Sequence, residues 1–312
     1  MKAMTLRSTA AFLTASLLAG CASYAPPTPA AAPPPPAPIV TAPVEAPQPA
    51  PGPARIRPAE QWLFGSAEAS VLIEQTYADM TAFALKQAKV KKARRSVVLQ
   101  ASGSLADARF IPCAGKPSAV AFDADETLIW NLGQARWAAE NDKAFDPKVW
   151  DEWERTGEGK VLPLPGVIDA LAALRKAGIT PVINTNRDAK NAEQTAATFK
   201  VAGLGDFEHG KTLFLKGDDD ARSNKDPRRS KIAENYCVIA MVGDQLGDFF
   251  NAFNEKTLSP AQRRELATHL AAQKLWGNGW FLLPNSTYGP WDHITYDDAF
   301  PAATRWEPKE GQ

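Results

Sequence analysis

Histidine, cysteine and net charge are all scarce in this chain of 312 residues, and each shortage removes a class of function. The three histidines, His209, His269 and His293, are too scattered for the short ligand spacings of a zinc site and read as surface or packed residues. Basic and acidic residues balance at 35 each. No overall field draws a polyanion, so binding to a nucleic-acid polymer has no support. Long hydrophobic runs are missing too: the apolar stretch near the N-terminus, "AAFLTASLLAG", is too short for a stable transmembrane helix. No internal repeat is visible.

That stretch follows Lys2 and Arg7 and ends at Cys21, the pattern of an export signal over residues 1–20. Its end, "LLAGC", resembles the lipobox of bacterial lipoproteins, in which Leu18, Ala19 and Gly20 would precede a lipidated Cys21. The competing reading is an ordinary cleaved signal with an incidental cysteine. Lipidation would make the chain a tethered envelope protein, and Ala22 rather than Asp after Cys21 suggests the outer membrane in a host with two. Residues 22–58 hold 14 of the 26 prolines, so 21–58 reads as an extended, disordered tether rather than a packed core. A partner motif within it is the less favoured alternative.

Only Cys113 and Cys237 remain. An exported chain can form disulfides. Each cysteine precedes an apolar run that ends in aspartates, so neighbouring parallel strands would bring the two together. Either a bridge or two buried thiols fits.

From residue 59 onward, helical and strand patterns alternate. Ser66 caps a long amphipathic helix with Val71, Leu72, Ile73, Tyr77, Met80, Phe83, Ala84 and Leu85 in its apolar stripe. Strands are expected at "SAVAFDAD", "ITPVINTNRD", "KTLFL", "YCVIAMVGD" and "WFLLPN". Pro181 points to an early-strand or edge position. Helices are expected from Pro165 to Gly178, at "NAEQTAATFKVAG", and as one run from Ser259 through "KLWG". The alternation predicts an α/β fold with a central parallel sheet flanked by helices. Residues 301–312 read as a polar tail.

In such sheets ligands bind beyond the carboxyl ends of the strands, and three polar clusters lie there: "DADET", "NTNRD" and "GDQLGD". Asp123 and Asp125 are two apart and share a face of an extended strand. Carboxylates this close call for a compensating partner. With Asp244 and Asp248 they make an all-oxygen ligand set that suits Mg2+. Thr185, Asn186 and Arg187 offer donors for a phosphoryl group. Lys225, in "SNKDPRR", offers a positive charge.

The ordered set resembles the haloacid dehalogenase-like phosphohydrolases, whose signature is D-x-D-x-T, a Ser or Thr after a second strand, a Lys, and an acidic pair after a later strand. Here these are Asp123, Asp125 and Thr127, then Thr185, then Lys225, then Asp244 and Asp248. "FDADETLIWN", "FDPKVWDEW", "VINTNRD", "SNKDPRR", "VGDQLGDF" and "LPNSTYGPW" narrow the likeness, over roughly 60–295, to the bacterial class C acid phosphatases, lipoproteins that hydrolyse nucleoside 5′-monophosphates. The chain departs from that pattern at Gln134, where tyrosine is usual, at Gln245, where Asn or Thr is usual, and at Trp130, where a polar residue is common. These departures bear on substrate preference.

The resemblance implies a Rossmann-like haloacid dehalogenase fold over 59–300 with a small, mainly helical cap at about 128–163. It implies Asp123 as nucleophile and Asp125 as general acid and then base. The implied metal ligands are the Asp123 and Asp244 carboxylates and the Asp125 backbone carbonyl, with Asp248 orienting the metal's waters or the lysine. Thr185 and Lys225 (or, as the alternative, Lys231) would hold phosphoryl oxygens. Trp150 and Tyr288 would stack on a nucleotide base, and Asn131, Asn186 and Arg187 would contact substrate.

Blander readings compete for several of these. Trp150 would be packing, Asp248 a helix cap, Thr185 and Asn186 caps, and Arg187 half of a surface ion pair. The rival functions are action on other small phosphoesters, a surface lipoprotein whose main role is binding, and a non-enzymatic storage relative, which the presence of Asp123 opposes. Histidine acid phosphatases are excluded because no R-H-G sequence occurs. A homodimer is compatible with the sequence, which leaves the oligomeric state undecided.

Overall fold

Five consecutive buried residues, Ser118–Phe122, form the strand around which the domain is laid out. The structure is a computed structural model that describes residues 56–90, 95–100 and 103–308. All of them belong to the second of two units, Pro51–Gln312. The export signal, Cys21 and the tether as far as residue 55 lie outside the described residues.

In chain order the strands are β1 (Arg95–Leu99), β2 (Phe110–Pro112), β3 (Ser118–Phe122), β4 (Ile129–Trp130), β5 (Leu162–Pro163), β6 (Thr180–Asp188), β7 (Leu213–Lys216), β8 (Cys237–Gly243) and β9 (Trp280–Leu282). The helices are α1 (Pro58–Gly65), α2 (Ala67–Ala88), α3 (Leu132–Glu140), α4 (Pro147–Thr156), α5 (Val167–Lys176), α6 (Ala192–Val201), α7 (Asp226–Asn235), α8 (Pro260–Thr268), α9 (Leu270–Gln273) and α10 (Tyr296–Ala299). Five strands make one parallel sheet in the order β7-β6-β3-β8-β9. β3 and β8 are buried at every position, as central parallel strands covered on both faces should be. Side chains alternate between the faces. Val120 and Phe122 join one core with Ile73, Tyr77 and Met80 of α2 and Leu171 of α5. Ala119 and Ala121 join a second core with Ile232 of α7, Val97 of β1 and Trp280.

The α2 cap is as expected, with the Ser66 hydroxyl accepting from Ala69 N at 3.1 Å. Val71 and Leu72 do not join its stripe and are 53% and 46% exposed. At 100° per residue, three consecutive positions cannot all face one core, and Ile73 takes the buried place. Pro181 is the second residue of β6, inside the sheet between β3 and β7. Pairing with β7 starts only at Ile183, so the missing amide of Pro181 breaks no ladder on that side. The run after Ser259 is two helices rather than one, because His269 leaves the helical region at ψ 143°. The Ala267 carbonyl, which a continuous helix would give to Ala271, accepts instead from Trp276 Nε1 at 2.8 Å.

The antiparallel pair β1–β2 and the helix α7 have no counterpart in the sequence reading. Cys113 follows β2 and Cys237 opens β8, beside Ser118 in register, and the two are joined by a disulfide. The stretch 128–163 leaves the sheet after β3. It contains α3 and α4, closed at the base by antiparallel pairing of Ile129 with Pro163 and Trp130 with Leu162. Among the described residues no helix is long and apolar enough to cross a membrane.

Candidate active site

The carboxyl ends of β3, β6 and β8 are neighbours, and the polar clusters that follow them meet there. Carboxylate oxygens of Asp123, Asp244 and Asp248 all lie within 4.8 Å of one another. Lys225, at the N-terminus of α7, places its ammonium 2.5 Å from Asp123 Oδ1 and 2.7 Å from Asp248 Oδ1. Lys231 is exposed on the same helix, so Lys225 is the lysine that reaches the carboxylates.

Gly243 allows Asp248 to sit this close, because a Cβ on Gly243 would come within 2.4 Å of the Asp248 side chain. Asp248 also accepts from Gln245 N through Oδ2 at 2.8 Å. One oxygen therefore caps its own turn while the other holds the lysine. Arg229, buried in α7, fastens the same turn by donating to the carbonyls of Gly247 and Asp248.

These groups are out of water, and their electrostatics follow. Burial pushes Asp123 well up; Lys225 opposes this, while Asp248, Asp244 and Asp125 add to it. Asp244 is pushed up to about 7 by burial and by Asp248, against hydrogen bonds from Asn285 and Gln245. Burial pulls Lys225 down, but Asp123 and Asp248 outweigh it and hold its ammonium firmly charged. Three clustered carboxyl groups face one ammonium, and a further cation among them would favour their ionised forms. An oxygen-only donor set of this kind fits a hard divalent cation of the Mg2+ type.

The Asp125 carboxylate lies outside this cluster of ligand atoms. Its Oδ1 accepts from Arg187 Nε at 2.9 Å, Arg187 Nη2 at 2.8 Å and Asn131 Nδ2 at 3.0 Å. Arg187 is 1% exposed, so its ion pair is a buried one at the site and not a surface contact. Asn131, expected to touch substrate, has its amide in a network of protein partners. Besides Asp125, it donates to Glu126 and accepts from Trp153 Nε1 and Arg187 Nη2. Thr185 is fully buried, and its hydroxyl accepts from Arg187 N at 3.1 Å. Asn186 bonds Ser223 O and Arg228 Nη2, tying the end of β6 to the segment before α7.

Trp150, half-buried in α4, donates to Glu154 Oε1 at 2.8 Å and has the Arg187 guanidinium 5.9 Å from its ring. Tyr288 is 44% exposed. Its hydroxyl donates to Glu126 Oε2 at 2.7 Å, and its carbonyl accepts from Gln245 Nε2 at 2.9 Å.

Four groups at the site went unassigned from sequence. Glu126 is buried and pushed up to about 7, by burial and then by Asp125. Glu154 joins α4 to the core by accepting from Asp188 N and Asn191 Nδ2, each at 2.9 Å. Asn285 donates to Asp244 Oδ2 at 2.8 Å. Arg229 holds the turn that carries Asp248. Asn285 was findable: it follows an apolar strand, as the other three clusters do. Glu154 and Arg229 carried no such signal, since charged residues on helices are usually solvated.

Fold and site together define an α/β protein with a central parallel sheet and an acidic cluster beyond the carboxyl ends of its central strands. The model of the HAD superfamily, subfamily IIIB (acid phosphatase), matches residues 60–291, and the chain belongs to that family. Acid phosphatase 1 of Solanum lycopersicum is 27% identical over 139 residues, which is 42% of this chain and 51% of that one. The chain thus spans about half the length of this curated relative. The class C acid phosphatase of Bacillus anthracis superimposes with a TM-score of 0.59 at 22% identity, over 75% of this chain and 85% of that one. Its tungstate-bound form gives 0.57 at 22%, over 78% and 89%. At this identity the likeness establishes a shared fold.

Proposed function

We propose that the protein is a phosphomonoesterase acting on nucleoside 5′-monophosphates, through a phosphoryl group carried on Asp123. The observation that carries this is the meeting of Asp123, Asp244, Asp248 and Lys225 at one end of the sheet, beside Asp125. Asp123 and Asp244, with the Asp125 carbonyl, would hold Mg2+, and Asp248 would orient the lysine and the metal's waters. When bound, the ion supplies positive charge where negative charge gathers on the phosphoryl oxygens.

In the first half-reaction an Asp123 oxygen attacks phosphorus and the bond from phosphorus to the ester oxygen breaks. Asp125 gives its proton to the departing oxygen. In the second half, Asp125 takes a proton from water, which attacks phosphorus. The Asp123–phosphorus bond then breaks and inorganic phosphate leaves. Among the described residues, the hydrogen bonds to the Asp125 carboxylate fall on Oδ1, which leaves Oδ2 to carry the transferred proton. Thr185 and Lys225 hold the phosphoryl oxygens as charge develops. Trp150 and Tyr288 are aromatic surfaces for the base, and a flat ring accepts any base.

Phosphate release from AMP, a sugar phosphate and an aryl phosphate, with and without Mg2+, tests the reading. We expect metal-dependent release, fastest from AMP. No metal-dependent release from any of the three contradicts the phosphatase reading. Preference for the sugar phosphate contradicts the nucleotide assignment. Export and anchoring through Cys21, to the outer membrane in a host with two, belong to the same proposal. The disulfide supports them as a feature of oxidising compartments.

A further inference from the structure

We infer that Glu126 is a positioning residue that couples substrate recognition to proton transfer. One of its oxygens holds Tyr288, and the other orients the amide that holds Asp125. The inference rests on the function proposed above and deepens it.

Glu126 is 4% exposed and adopts φ +53°, a left-handed conformation that a residue with a side chain rarely takes without a local reason. That conformation turns the carboxylate toward the base of the cap. Oε1 accepts from both the backbone N and the Nδ2 of Asn131, each at 3.1 Å. Oε2 accepts from the Tyr288 hydroxyl at 2.7 Å.

The bond to Asn131 fixes which way its amide points. With Nδ2 facing two carboxylates, Glu126 and Asp125, Oδ1 must face the two donors, Trp153 Nε1 at 2.8 Å and Arg187 Nη2 at 2.9 Å. A flipped amide would set oxygen against carboxylate and N–H against guanidinium. Asn131 and Arg187 together fix Asp125 Oδ1. Removing Glu126 withdraws one of the two carboxylates that hold the amide in this sense.

On its other side, Tyr288 is held at both ends. Glu126 takes its hydroxyl, and Gln245 Nε2 bridges its carbonyl to Asp244 Oδ2. The aromatic surface and the proton-transfer group therefore share one buried anchor. A base that shifts Tyr288 shifts Glu126, and Glu126 acts on Asp125 through Asn131.

Steady-state kinetics on the full chain test this, with AMP and with glycerol phosphate, which has no ring. Glu126→Ala should lower kcat about 10- to 100-fold for both substrates, because the proton-transfer group is misplaced. It should also raise KM about 10-fold for AMP alone, because the stacking surface is loosened. Tyr288→Phe should reproduce the KM part and Asn131→Ala the kcat part. Glu126→Gln should recover most of both, since an amide can accept from Asn131 and donate to the Tyr288 oxygen. Both parameters within twofold of wild type in Glu126→Ala, or Glu126→Gln as impaired as Glu126→Ala, would overturn the inference.

A readout independent of turnover separates this from failure of the phosphatase reading. The Asn131 side-chain NH2 should exchange with solvent slowly in the wild type and at least about tenfold faster in Glu126→Ala. Unchanged exchange overturns the role of Glu126 even in an active enzyme. Faster exchange in a protein without phosphatase activity upholds the anchor and sinks the function on which the coupling rests.

Discussion

Asp123→Asn protein should release phosphate at least about 10⁴-fold more slowly than wild type, the scale expected when a nucleophile is lost. The substitution is isosteric, so the comparison isolates the charge and nucleophilicity of one oxygen. Stability supplies an independent check. Burial and three neighbouring carboxylates raise Asp123 despite Lys225, so in the metal-free folded state the ionised form is the disfavoured one. A group whose folded value is raised costs stability once pH exceeds its unfolded value, and the cost is complete above the folded value. An uncharged isostere relieves that cost, and Lys225 still keeps Asp248 at 2.7 Å. In chelator near neutral pH, the variant should therefore melt at or above the wild-type temperature. With Mg2+ added, wild type should gain more than the variant, which has lost a ligand. Turnover with AMP and thermal unfolding check both halves. Activity within tenfold of wild type would place the nucleophile elsewhere, and a large drop in melting temperature in chelator would mean that Asp123 is chiefly structural.

Replacing both cysteines by alanine should remove about 5 kcal/mol of stability with little change in kcat. The bridge closes a loop of 124 residues, and the loop-entropy relation gives roughly that value for such a length. For a domain of this size it corresponds to a fall in melting temperature of about 10–20 °C. Activity should survive because the two ends of β8 do different work. Cys237 is its first residue and Asp244 follows its last, which puts them roughly 20 Å apart at the usual rise of a strand. Urea unfolding of Cys113→Ala/Cys237→Ala protein, alongside AMP turnover below its midpoint, measures both. A loss under about 1 kcal/mol would mean that the unfolded chain is not appreciably constrained by the bridge. A collapse of kcat in folded protein would mean that the bridge positions the site.

The layout of the sheet was legible because parallel strands bury both faces and so read as unbroken apolar runs. "SAVAF" and "CVIAMVG" are of this kind, and each ends at the aspartates of the site. What periodicity could not supply was the destination of charged side chains. Arg187 reads from sequence as a phosphoryl donor or as half of a surface ion pair, and only the fold shows its guanidinium closed over Asp125 at 1% exposure. Asn131 is expected from sequence as a substrate contact, and only the fold shows its amide also tied to Asp125, Glu126, Trp153 and Arg187. The β1–β2 pair was missed because its strands are five and three residues long, too short for alternation to stand out. The break at His269 depends on the Trp276 indole reaching Ala267 O, a tertiary contact that no helical pattern records.

The most direct test of the account is to stop the reaction in acid within milliseconds of mixing the Mg2+-loaded protein with AMP labelled in its phosphate, and to map the labelled peptide. The account predicts one labelled residue, Asp123, with a hydroxylamine-sensitive acyl phosphate that is absent from Asp123→Asn protein. Label on any other side chain, or turnover with no covalent label at any mixing time, would contradict it.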